Sequence, residues 1–162
     1  MLLFNRYKTR KMKIIENDKK YLHDFIFLNE EWIKKYFELE YFDIDLAKNP
    51  YQIIENGGYI FTVLKDDEVV AVCALINHNN NTYELARMAV KNQYQGKGYG
   101  SVLIETCLEK LNKINAKKVF LVSNTKLEIA ISLYKKYGFR IIKQEQHPVY
   151  KRANIEMELK IL

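Results

Sequence analysis

The chain has 162 residues, of which 48% are apolar, 28% charged and 13% aromatic, with six Gly, two Pro and two Cys. This is the composition of a single globular domain that buries roughly two-thirds of its unfolded surface; it excludes disorder, collagen, a disulfide scaffold and a repeat solenoid. Lys and Arg number 26 against 20 Asp and Glu, but the longest apolar runs, such as Val69 to Ile76, fall far short of the roughly 20 residues of a membrane span.

Much of the positive excess lies at the start. Arg6, Lys8, Arg10 and Lys11 occur there without an acid, so the rest of the chain is nearly balanced. No helical segment carries the dense basic stripe of a nucleic-acid binder. The segment MLLFNRYKTRK lacks the sustained apolar stretch and cleavage site of a secretory signal, and a cytoplasmic location is expected. Residues 1–11 read as a basic extension ahead of a natural start at Met12.

Met12 to Ile15 predicts a short strand. From Asp18 the apolar residues recur at helical spacing to about Phe37, with a break expected near Asn29. A short helix follows over Ile44 to Lys48, Pro50 opens another turn, and Gly57 and Gly58 end it. Three strands come next: Tyr59 to Leu64, Val69 to Ile76 and Tyr83 to Val90. Asp66–Asp67 and an Asn-rich stretch join them so tightly that they must be antiparallel.

Beyond Val90 the period changes. A polar loop leads into Gly96, Gly98 and Gly100, and a helix starts around Gly98 with apolar residues at 103, 104, 107, 108, 111 and 114. Lys118 to Val122 reads as a strand buried on both faces. Thr125 and Glu128 match a capping box for a helix running to about Tyr137, where Gly138 stops it. Phe139 to Lys143 predicts a further strand. After the loop Gln146 to Lys151, the alternation of Ile155, Met157, Leu159 and Ile161 closes the chain on a half-exposed strand. Cys73 and Cys107 fall in apolar-periodic segments and His23, His78 and His147 are scattered, a spacing that suits neither a disulfide framework nor a metal site.

The segment Gln95-Gly96-Lys97-Gly98-Tyr99-Gly100-Ser101 joins a strand to a helix, where free amides and the positive helix end can hold phosphate oxygens. Two familiar nucleotide loops fail on context. A Rossmann unit needs a preceding βαβ arrangement and a ribose-binding acid, but an antiparallel meander precedes the loop and Ser123 and Asn124 end the next strand. A Walker loop needs Ser or Thr after Gly-Lys, and Gly98 follows Lys97. The structural alternative is that the glycines serve only a tight turn and close helix packing.

In the spacing Gln95, Gly98, Gly100 the loop resembles the central motif of the GNAT superfamily of acyl-CoA-dependent N-acetyltransferases. Gln93, Gly96 and Gly98 match in a second register that leaves the glycines farther from the helix. ELARMAV (Glu84 to Val90) is similar to the family's fourth strand, and SNTKLEIAISLYKKYGF (Ser123 to Phe139) to its fifth-strand end and fourth helix. The likeness spans about Tyr59 to Ile142. It implies a mixed, mostly antiparallel central sheet of about six or seven strands with about four helices, splayed between the fourth and fifth strands.

The resemblance also implies acetyl-CoA as cosubstrate, with no metal. Its diphosphate is expected on Gln95, Gly96, Lys97, Gly98, Tyr99, Gly100 and Ser101, and its pantetheine arm along the edge of Met88, Ala89 and Val90. An amide near Ala89 or Val90 would polarise the thioester carbonyl. Asn124 has two open readings: a pantetheine or water ligand, or a cap. Direct transfer needs a neutral amine, so a base is useful. Glu84 is the candidate, on the face of Ala86 and Met88 if no bulge intervenes, against the ordinary reading of a solvent-facing strand residue. Tyr134, in the LY pair before GF, is the candidate acid for the departing thiolate, against a packed helix tyrosine. Tyr94, Tyr99 and Tyr137 read as packing or surface residues.

Residues 30–45 hold six acids against two lysines. They form either an acidic wall for a cationic amine, with Glu31, Trp32 and Tyr36 shaping the pocket, or a solvated helix face with aromatics in the core. The expected partner is a small-molecule or peptide amine, with no nucleic acid and no membrane, and the protein is expected to be a monomer or homodimer. The competing function is an acyl-CoA-binding module without turnover, which would keep the glycine loop but need neither Glu84 nor Tyr134.

Overall fold

Alternation of side chains along the central strands divides the interior into two layers. The computed structural model describes residues 12–161, so the proposed basic extension, residues 1–11, lies outside the described residues. Strands β1 (Met12–Glu16), β2 (Tyr59–Lys65), β3 (Glu68–Asn77) and β4 (Thr82–Val90) form an antiparallel meander, and β5 (Lys118–Ser123) joins β4 in parallel. With β6 (Arg140–Lys143) and β7 (Ile155–Lys160) the spatial order is β1-β2-β3-β4-β5-β7-β6.

On one face Phe61, Val63, Ala71, Cys73 and Leu75 pack against Leu103, Ile104, Cys107 and Leu111 of α4 (Tyr99–Lys113) and Ile131 of α5 (Glu128–Lys136). On the other, Ile60, Val72 and Ala74 meet Phe25 and Leu28 of α1 (Leu22–Tyr36), Leu46 of α2 (Tyr41–Lys48) and Ile53 of the single turn α3 (Gln52–Glu55). This period-two division in β2 and β3 is the pattern expected of strands sandwiched between helix layers.

The mixed sheet and its flanking helices agree with the expected fold class, with seven strands and five helices among the described residues. Several local expectations are corrected. Helix α1 runs unbroken through Asn29, whose buried side chain turns back along the helix and donates from Nδ2 to the Phe25 carbonyl at 2.9 Å. No Thr125–Glu128 capping box forms. Instead the Thr125 amide and hydroxyl bond Asn154 at the entry to β7, and Leu127 takes the N-cap position. A capping box occurs at α2, between Glu40 and Asp43. Strand β5 buries only Val119 and Leu121 fully; Phe120 and Val122 are half-buried.

The β4 strand carries a bulge that repositions the site. Its pairing with β3 skips a residue where Val72 faces Ala89 and Ala74 faces Ala86, and Arg87 there adopts φ of +57°. The extra residue reverses the alternation. Leu85 points to the α4–α5 layer before the bulge, and Met88 and Val90 point there after it. Glu84 therefore does not share a face with Met88.

Candidate active site

The loop after β4 exposes a row of main-chain donors. Among the described residues the amides of Gly96 through Ser101 have no backbone acceptor, and the first bond of α4 runs from the Val102 amide to the Gly98 carbonyl at 3.2 Å. These groups lie at the positive end of a 15-residue helix, the arrangement that binds phosphate oxygens. Gly98 is the N-cap, with φ of +90° and open space where a Cβ would stand, so its requirement is conformational. Gly100 differs: a Cβ there would lie 3.1 Å from Leu133 Cδ2, which lets α4 pack on α5. The N-cap position of Gly98 fits the register Gln95, Gly98, Gly100.

Beside this loop the sheet opens. β4 and β5 pair over Thr82, Tyr83 and Glu84 only, because β5 continues along β7 while β4 diverges. The β4 edge from Leu85 to Val90 therefore has no strand partner on that side. The Lys91 amide donates to Val70 on the β3 side, so alternation turns the Val90 amide to the open side. The Val90 carbonyl accepts from Gln95 Nε2 at 3.1 Å.

A cleft of about 950 Å³ follows the splay, within the range of small-molecule sites. Met88, Val90, Gln95, Gly96, Gly98, Tyr99, Gly100, Ser101 and Asn124 line it. The Ala89 side chain is buried in the α1–α3 layer, and Lys97 reaches over the Tyr94 ring, 5.6 Å from its centroid; neither is on the wall. Asn124 is buried and already engaged, with Nδ2 donating to the Arg152 carbonyl at 3.0 Å and Oδ1 accepting from the Lys126 amide at 2.9 Å. Of the remaining tyrosines, Tyr94 donates to Glu68 at 2.7 Å and Tyr137 to Glu105 at 2.6 Å.

Both candidate catalytic side chains reach this cleft. Tyr134 packs edge-on to Phe139, with centroids 5.9 Å apart, and its hydroxyl has no protein partner among the described residues. Burial, with a smaller contribution from Cys73, pushes the phenol up to about 12, so it holds its proton at neutral pH. Glu84 is 8% exposed and its Oε1 lies 2.8 Å from His78 Nε2. The hydrogen bond to Glu84 raises the His78 pKa above its ordinary value, against the effect of burial. Cys73 and Cys107 are buried in the core with their sulfurs 3.4 Å apart, which places them in contact although their sequence spacing gave no sign of it.

The far half of the cleft is made of side chains from distant segments. Trp32 and Tyr36 line it, with Phe37 and Ile76, whereas Glu31 is exposed and off the wall. Asp43, 3% exposed, is the centre of an ion network. It receives Arg87 Nη1 and Arg152 Nη2 on Oδ1, and Arg152 Nη1 and the Glu40 amide on Oδ2. Burial is the largest influence on this carboxyl and raises its pKa, but the Arg152 hydrogen bond, the Glu40 amide and the two guanidinium charges together hold it below the ordinary range. Glu40 in turn accepts from the Lys151 amide and from Arg152. Two acids of the expected acidic wall are thus paired internally.

Sequence reasoning missed His78, Arg87, Tyr150 and Arg152 as parts of this neighbourhood. The bulge and the Asp43 network bring the arginines in, and neither has a local sequence signal. His78, in the turn before β4, had one available clue: its position six residues from Glu84 across a hairpin.

The sequence model of the Acetyltransferase (GNAT) family matches residues 22–139. An uncharacterized N-acetyltransferase, YvbK, of Bacillus subtilis (strain 168) is 31% identical over 106 residues, which are 63% of this chain and 68% of that protein. Among solved structures, a GNAT-family acetyltransferase from Staphylococcus aureus Mu50 superposes with a TM-score of 0.83 at 21% identity, covering 93% of this chain and 99% of that one. The spermidine N-acetyltransferase of Vibrio cholerae, in complex with CoA and spermine, gives 0.70 at 19% identity over 93% and 96% of the two chains. Because the family match runs from α1 through the phosphate-type loop and the splay to the end of α5, the chain belongs to the acetyltransferase (GNAT) family and is an acyltransferase.

Proposed function

We propose that this enzyme transfers an acetyl group from acetyl-CoA to a primary amine by direct attack in a ternary complex, with Glu84 as general base and Tyr134 as general acid. One observation carries the reading: a single cleft joins a row of unpartnered main-chain donors to a carboxylate and a protonated phenol. The family uses acetyl-CoA, and the residues here suit it. The amides of Gly96 to Ser101 would hold its diphosphate, the open β4 edge its pantetheine, and the Val90 amide would face the thioester oxygen.

Acetyl-CoA supplies the activated carbonyl carbon. Glu84 takes a proton from the incoming amine, which leaves the nitrogen lone pair free to form the C–N bond. His78, hydrogen-bonded to Glu84 and 43% exposed at its side chain, gives that proton a route to water. As the C–S bond breaks, the sulfur keeps its electron pair and Tyr134 donates its proton there. The test is thiol release from acetyl-CoA with an amine panel. Glu84→Gln and Tyr134→Phe should each lower kcat/KM by about 10²- to 10⁴-fold while acetyl-CoA still binds. Wild-type turnover by either variant removes that residue's role, and failure of the native enzyme to bind acetyl-CoA defeats the proposal as a whole.

A further inference from the structure

The acceptor half of the cleft carries an imbalance of hydrogen-bonding capacity. A carboxylate has about four lone-pair sites, and Asp43 fills them with two bonds on each oxygen. Glu40 is occupied by the Lys151 amide and by the amide and guanidinium of Arg152. Arg152, at the other end of these bonds, directs both terminal nitrogens into the network.

Arg87 is different. A guanidinium has five N–H donors, and among the described residues Arg87 uses only Nη1, toward Asp43. Its side chain is 13% exposed and lies on the cleft wall, three residues along β4 from Glu84. The +57° φ at the bulge is what brings this residue to the acceptor side. Tyr150 lines the same wall, where burial and then the Glu84 carboxylate push its phenol up while Arg87 and Arg152 pull it down. Trp32, Ile33, Tyr36, Phe37 and Ile76 form the apolar and aromatic part of the wall, beside the polar Asn29, Lys126, Tyr150 and Arg152.

We propose that the acceptor is an α-amino acid with an apolar or aromatic side chain, and that Arg87 binds its carboxylate. This rests on the acetyl-transfer reading above and deepens it. The carboxylate takes the free donors of Arg87 in a forked, charge-assisted pair. The α-amine, one carbon away, is presented toward Glu84, and the side chain lies against the aromatic wall. A polycationic acceptor would meet an underpartnered guanidinium there, because Asp43 is filled by its four bonds, Glu40 is engaged by three, and neither carboxylate lines the cleft.

The test compares phenylalanine, phenylalaninamide, phenethylamine and spermidine in the thiol-release assay with native enzyme. Phenylalanine should exceed phenethylamine and the amide by about 10- to 100-fold in kcat/KM, the value of a charge-assisted hydrogen-bonded pair. The amide is the stringent control, since its amine loses a proton more readily and would be the better substrate if basicity alone ruled. Arg87→Lys keeps the charge beside Asp43 but loses the fork. It should raise the phenylalanine KM by a similar factor and leave kcat within a few-fold. Equal use of the carboxylate-free amines, an unchanged KM in Arg87→Lys, or no turnover of phenylalanine each overturns the assignment. Turnover of spermidine alone overturns it while sparing the acetyl-transfer reading, whereas failure to bind acetyl-CoA removes that reading as well.

Discussion

The two halves of the cleft are built from different materials. The half around residues 95–101 is made of main-chain amides at a helix start, shaped by glycines, and its unpartnered groups are donors of fixed geometry. The other half is walled by aromatic and apolar side chains together with Arg87 of the β4 bulge and Arg152 of the loop before β7, both held by the buried Asp43 of α2. On the proposed reading the first tolerates change in most side chains, because the groups offered to the cofactor are main-chain donors. The second depends on every partner, because removing one ion leaves another buried and unpaired.

That contrast breaks most visibly at Asp43. Asp43→Asn leaves Arg87 and Arg152 facing a neutral amide, and unfolding by urea should show a loss of about 3–5 kcal/mol. The pH dependence has a defined sign. The folded-state pKa of Asp43 is depressed, so its contribution is present above the ordinary carboxylate value and disappears as pH falls through the folded one. The native enzyme should lose that stability in acid, and Asp43→Asn should be flatter across the same window.

Gly98→Ala tests the backbone half. No atom lies within 4 Å of the added Cβ, so the stability cost should be only the left-handed penalty, about 1–2 kcal/mol, while calorimetry shows weaker acetyl-CoA binding. A variant with native affinity would show that the space at Gly98 is not needed by the ligand.

The smallest effect belongs to His78. Its folded pKa is raised, so the Glu84 pair stabilises the fold below the ordinary imidazole value and fades as pH rises through the folded one. An NMR titration of the imidazole should show the upward displacement, and Glu84→Gln should remove it. An unchanged midpoint in that variant would place its cause outside the pair.

The same division decides what could be read from the sequence. Gly98 and Gly100 announce their loop by a short spacing, with a left-handed backbone at Gly98 and close packing on Leu133 at Gly100. The meander and its tight Asp66–Asp67 turn were equally legible, since both rest on neighbours in the chain. Arg87 was not. Simple alternation assigns it the face opposite Glu84, and only the bulge reverses that. Its partner Asp43 lies 44 residues away and Arg152 a further 65 beyond Arg87, distances that no periodicity encodes. Thr125 fails for a related reason: the expected cap lost its hydroxyl to Asn154, a tertiary partner that competes with the helix start. In α1 the helix continues through the break expected near Asn29, and that side chain is satisfied locally by the Phe25 carbonyl.

The account depends most on the unpaired amides before α4. Hydrogen exchange followed with and without saturating acetyl-CoA reads them directly. The account predicts strong slowing across Gly96 to Ser101, with a second, smaller protection at Val90. Tight acetyl-CoA binding with unchanged exchange in that segment would contradict it.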